Sequence, residues 1–371
     1  MSTGSTTLTR ASAEWFRRSP DERYLSLADL HAATLERSRR SRSDVISNTS
    51  LIAEGESQAS GRLSLYHRDL GALRLTDWSL GQLATIARTP ARWLREVALI
   101  PGGPFLAASA LNSGLRHLAA KEDVQVLTLR PEEGEARELR ALVGPDYGRI
   151  YDHQVVEMVR EVNGDGRWHI PAASYQARDP LRATTLYASD RDVFIFLVDE
   201  RNPITVQVGG EVRSLFRGFM VWNSEVGHHR LGILTFLYDY VCDNRMVHGA
   251  REVKELAIRH TKGAPERFAR EARPLLRAYA EASVSEVEAE LARATRTQVG
   301  RSDEEILEWL RRRDFTRKES EGIINLAKVE EGDARTVWQL VNGGTALARS
   351  IPHADSRVSF ERRVSSLLRA A

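Results

Sequence analysis

The chain has 371 residues, with 53 basic against 51 acidic side chains and a net charge of +2. That balance excludes the global positive field of many nucleic-acid binders, so any polyanion surface must be local. A 42% hydrophobic and 28% charged composition suits packed cores, and the single cysteine, Cys242, excludes an internal disulfide and any multi-cysteine zinc site.

The opening "MSTGSTTLTRASAEWF" has no apolar stretch of signal-peptide kind, and no later run of about twenty apolar residues could span a bilayer. The expectation is a cytoplasmic protein without membrane contact. Helices are predicted over residues 11–18 and 27–40. The second ends in Arg37, Arg39, Arg40 and Arg42, read either as cations at a helix C-terminus or as a polyanion contact.

"LTDWSLGQLATIARTPARWLREVAL" follows. Thr76 or Asp77 caps a helix with Leu80, Leu83 and Ile86 on one face, and Pro90 opens a second helix bearing Trp93, Leu94 and Val97. A DNA-reading helix-turn-helix is weighed here. Pro90 and the packing character of Trp93 and Leu94 favour a structural hairpin. A third helix is predicted over 104–120.

From Val124 the period shortens to two. Strands are predicted at 124–130, in "EARELRALV" up to a tight turn at Gly144–Pro145–Asp146, and at 168–172, 183–188, 193–198, 204–208, 217–223 and 231–241, with an extended 147–151 and a helix near 153–162. Asp190, Asn202–Pro203 and Gly209–Gly210 punctuate them. After Ala264 six helices are expected, over 265–283, 285–297, 303–313, 317–330, 335–349 and 356–368. The predicted fold class is α+β. It comprises a helical N-terminal region (1–120), a central, mainly antiparallel sheet with packed helices (121–264) and a helical C-terminal region (265–371).

"QLATIARTPARWL", "RALVGPDYGRIYD", "FRGFMVWNSEVGHHRLGILTFLYDYVCDNRMV", "IRHTKG" and "TVWQLVNGGTALARSIPHADSRVSFERRVSSLL" resemble domain-of-unknown-function family 932. The resemblance runs from about Leu75 to Leu368. It implies a cytoplasmic protein with a history in phages, plasmids and other mobile elements. It carries over no catalytic residue.

In the longest of these stretches the strand at 231–241 is apolar on both faces, as a central strand should be. Cys242 is read as a buried small hydrophobe, because Asp243 beside it disfavours thiolate. Asn223 and Asn244 are read as structural polar groups at strand ends. No metal site is expected. His228 and His229 lie at one end of the ribbon, His248 and His260 at the other, too far apart to share an ion. No phosphate loop, nucleophile elbow or zinc motif occurs, and no cofactor is expected.

Three functions compete. The first is nucleic-acid binding, with single-stranded DNA favoured. It rests on Tyr147, Arg149 and Tyr151 alternating charge and aromatic faces, on Arg213 and Arg217 flanking Phe216, and on Arg259 and His260. The second is a protein-interaction module acting on a host defence factor, marked by an exposed apolar patch on the helical regions. The third is an enzyme with a polar site near Asn244 and His260, for which no nucleophile–base pair can be named. The reading therefore leans away from catalysis, and it admits a homo-oligomer and a host protein partner.

Overall fold

The computed structural model describes residues 22–55, 63–130, 136–172, 177–208, 211–239, 244–246, 255–351 and 354–370. Its architecture is α+β, with two sheets and helices packed on both. The helix predicted over 11–18, Cys242 and His248 lie outside the described residues.

The central sheet is antiparallel and runs in the order 23–24, 186–188, 193–208, 211–223, 231–239, with 244–246 and 255–258 both pairing the strand Leu231–Asp239. That strand is central, as its apolar faces require. Leu231 and Ile233 enter one core; Leu234 and Phe236 enter the core on the opposite face. Gly218 pairs with Phe236 and Trp222 with Gly232 across the same two strands. In each pair the aromatic ring lies over the glycine, where a Cβ would stand 2.3 Å from Phe236 and 2.0 Å from Trp222. Each aromatic ring thus covers backbone that its glycine partner would leave bare.

Val193–Val208 is one strand of 16 residues, not the two expected. The register with its neighbour shifts between Leu215 and Arg217, opposite the segment that holds Asn202 and Pro203. Proline cannot donate to a ladder, so the chain accommodates it in a bulge and the strand continues.

The second sheet joins 41–47, 123–129, 137–143, 71–75, 63–67 and 52–55 in that order. All pairs are antiparallel except 71–75 with 137–143. Four of these strands fall where only helices and loops were expected, so the division drawn at residue 120 runs through one sheet. The hairpin over Asp77–Ile86 and Ala91–Val97 packs on this sheet with the helix Gly103–Ser113. Leu94 is fully buried, but Trp93, expected to pack, is 43% exposed.

The C-terminal helices bury Trp338, Leu340 and Val341 against Ile204, Val206, Leu215 and Leu237 of the central sheet. Another core places Trp168, Phe219 and Tyr279 together under the helix Asp152–Val162. Each such fully buried large side chain is worth about 1.5–3 kcal/mol.

Candidate functional site

The two sheets meet at a polar junction built on the turn after Asn223. Gly227 takes φ +85°, a left-handed conformation that favours glycine, and lets the chain reverse. The Val226 carbonyl accepts from Trp78 Nε1 at 3.0 Å and from Gln82 Nε2 at 2.9 Å. Gln82 Oε1 accepts from Leu142 N at 2.9 Å, so the helix Asp77–Ile86 ties this turn to the second sheet.

Inside the junction Glu225 pairs with Arg140, both almost wholly buried. Its other oxygen accepts from Asp152 N at 3.2 Å. Burial pushes the Glu225 carboxyl up, but the charge and hydrogen bond of Arg140 outweigh it and hold it below its usual value. Asp152 goes the other way: burial, then the Glu225 charge, drives it well above the ordinary carboxylate range. Asn223 Nδ2 donates to Asp152 Oδ1 at 2.8 Å and to Ile150 O at 2.9 Å, a structural polar role. Asn244 stands opposite Asp239 in the ladder.

Tyr147, Arg149 and His260 come together on this junction. Tyr147 donates its hydroxyl to Ser224 O at 2.9 Å and stacks on His260, ring centroids 4.9 Å apart. Arg149 is 8% exposed and donates to Glu225 O and Gln125 Oε1. His260 Nδ1 faces Gly148 O at 3.1 Å, and burial lowers its pKa. Gly148 is required here, because a Cβ would lie 1.9 Å from Thr261 O. Tyr151 precedes the helix Asp152–Val162, and its N–H donates to Gln154 Oε1. Arg259 is exposed next to His260.

Arg213 and Arg217 belong to other surroundings. Arg213 donates to Glu331 at 2.6 Å. Arg217 is 1% exposed, donates to Ala282 O at 2.8 Å, and lies near Asp199 and over the rings of Trp168 and Tyr279. These two and Arg149 therefore turn inward onto protein partners. A signal for Arg217 was available: it shares a strand face with Leu215, Phe219 and Val221, all fully buried.

Among the described residues, a cationic cleft lies at the junction of the helix Leu27–Arg40 with the second sheet. The cleft, of about 320 Å³, is lined by Arg39, Arg40, Ser41, Arg42, Thr128, Arg130 and Arg137. Arg39, Arg42 and Arg130 are exposed. Arg40 donates to Arg130 O at 2.9 and 3.1 Å, and Arg42 pairs with Asp44 at 2.7 Å. Arg39, Arg130 and Arg137 have no carboxylate partner among the described residues. The connection at 131–135, which carries Glu132, Glu133 and Glu135, lies outside those residues.

Asp192 also bears on the site, and sequence reasoning passed over it. Its Oδ2 lies 3.3 Å from His228 Nδ1 and 3.9 Å from His229 Nε2. The adjacent histidines and the "ASDRD" turn were the available signals, separated by too much sequence to be joined without the fold.

No helix among the described residues is long and apolar enough to cross a membrane. No curated protein and no solved structure matches the chain. The family model described as Domain of unknown function (DUF932) matches residues 141–346, from the strand that holds the second sheet to the helix that closes the C-terminal core, and the chain belongs to that family.

Proposed function

We propose that the protein binds a nucleic-acid backbone, with single-stranded DNA as the first candidate, through the arginine cleft. The carrying observation is five guanidiniums around one recess on a chain whose net charge is only +2. Guanidinium groups donate in forked pairs to phosphate oxygens, and phosphate contacts dominate affinity for nucleic acids. Single-stranded DNA is the first candidate because its flexible backbone can bend to bring phosphates to these guanidiniums. No aromatic side chain lines the recess, so binding should be insensitive to sequence and steeply dependent on salt. In this reading Tyr147, Arg149, Arg217 and His260 hold the two sheets and their helices in register, and Arg213 anchors the C-terminal helices. The reading fits a role in the DNA metabolism of a mobile element.

The test is fluorescence anisotropy with single-stranded DNA, duplex DNA and RNA of matched length at low salt. Tighter binding of single-stranded DNA supports the proposal; no binding of any of the three at low salt ends it.

A second reading rests on a different observation. Trp93 on the helix Ala91–Val97, Phe105 and Leu106 on the helix Gly103–Ser113, and Leu99 and Ile100 in the turn between them are all 43–86% exposed. Such an apolar patch fits a protein partner, including a host defence factor. Leu99→Glu with Phe105→Glu should abolish capture of such a partner while leaving nucleic-acid binding intact.

A further inference from the structure

We propose that Asp192, His228 and His229 bind one divalent first-row transition metal, with zinc as the reference ion. This inference is independent of the nucleic-acid reading. The ligand atoms of these three residues all lie within 4.8 Å of one another. In a four-coordinate zinc site with bonds of about 2.0–2.2 Å, neighbouring donor atoms stand roughly 3.3 Å apart. The Asp192–His228 separation is already 3.3 Å, and the Asp192–His229 separation is 3.9 Å. His229 is 36% exposed and can close the remaining gap by side-chain rotation.

The site is held from outside its own three residues. Ser189 Oγ donates to Asp192 Oδ1 at 2.9 Å, leaving Oδ2 directed at both imidazoles. Outer hydrogen bonds of this kind orient a ligand for metal. Ser224 Oγ accepts the His228 backbone N–H at 2.9 Å and donates to Arg191 O, locking the two turns together. The Trp78 ring meets His228 edge-on, centroids 4.7 Å apart, and fixes the ring plane. Arg191, next to Asp192 in sequence, is turned to Asp77 at 3.0 Å.

A single Asp–His hydrogen bond would need one imidazole. Here two adjacent imidazoles, centroids 3.9 Å apart, converge on one carboxylate oxygen. A cation between them would give both rings a common acceptor of their lone pairs. Two nitrogen donors and one carboxylate suit zinc, iron(II), cobalt(II) or nickel(II) rather than calcium or magnesium. Asp192 is 2% exposed while both histidines reach solvent, so a bound ion would keep a position open to water.

The experiment uses tag-free full-length protein stripped with chelator and then titrated with cobalt(II) and with zinc(II). The expected result is one equivalent bound, visible cobalt absorption that zinc displaces, and roughly tenfold or greater weakening in His228→Ala and in His229→Ala. His117→Ala, at an exposed histidine elsewhere, should bind as the parent does. Circular dichroism checks the fold; if His228→Ala loses it, the more exposed His229→Gln carries the comparison. Absence of stoichiometric binding to the parent protein, or binding unchanged in folded His229→Gln, overturns the proposal.

Discussion

Glu225→Gln should be the most informative single change at the junction. It keeps the side-chain shape and an oxygen for the Asp152 N–H but leaves Arg140, 1% exposed, without its carboxylate. Stripping one partner from a buried ion pair costs about 3–5 kcal/mol, and the retained amide oxygen places this case near the lower figure. With unfolding entropy of about 2.1 cal/mol/K per residue, the whole chain carries on the order of 0.8 kcal/mol/K, so the melting temperature should fall by about 4 °C in a single cooperative transition.

Asp152 decides the rest. Burial and the Glu225 charge raise its pKa well above the ordinary carboxylate range and so favour its neutral form in the parent protein. Once that charge is gone it can ionise towards Arg140 and recover part of the loss. Asp152→Asn alone should remove little, because burial and the Glu225 charge already favour the neutral acid and an amide oxygen can still accept from Asn223. In the double variant neither carboxylate remains, so its cost should exceed the sum of the two single costs. Calorimetry with a urea melt as cross-check measures the cycle. A Glu225→Gln melting temperature within about 1 °C of the parent, or strictly additive costs, refutes the buried charge network.

Other outcomes follow from the same geometry. Tyr279→Phe deletes a buried hydroxyl whose one proton is shared between Gly218 O at 3.0 Å and Phe236 O at 3.1 Å, and should cost about 1–3 kcal/mol in urea melts. Gly148→Ala puts a methyl against Thr261 O and should cost about 1–3 kcal/mol, with a lower melting temperature. Because burial lowers the His260 pKa below the ordinary 6.5, the unfolded chain binds its proton first as pH drops; stability is full above 6.5 and declines below it. His260→Gln should flatten that decline, the remainder belonging in part to His153, which burial also lowers. Hydrogen exchange should find the strand Leu231–Asp239 among the slowest segments; exchange as fast as a chain terminus there would contradict its central place.

Elements with strong local signals were legible in the sequence. The helix Leu27–Arg40, capped by Ser26, starts and stops where periodicity and cap chemistry put it. The strand Ser41–Ser47 was not, because "SRSDVIS" is polar, lies at a sheet edge, and follows the helix with no glycine or proline between. The short strands at 52–55, 63–67 and 71–75 gain their identity from pairing, including a parallel pairing with Arg137–Val143 that no local pattern announces.

The site was legible only as clusters of polar residue types. Tyr147, Arg149 and His260 do converge, but the sequence could not show that Arg149 faces inward, since Glu225 and Gln125 become its partners only through the fold, whereas for Arg217 the alternation with Leu215, Phe219 and Val221 was the signal. Conversely, Arg130 and Arg137 join the Arg39–Arg42 cluster across the sheet register of Ser41 with Leu129.

The most direct test of the central claim is the salt dependence of single-stranded DNA binding in Arg39→Ala/Arg130→Ala/Arg137→Ala. Each lost phosphate contact should flatten the slope of log affinity against log salt by about 0.7, so the triple variant should lose roughly 2 while keeping the parent's melting temperature. An unchanged slope in the folded triple variant would contradict the assignment of nucleic-acid binding to the arginine cleft.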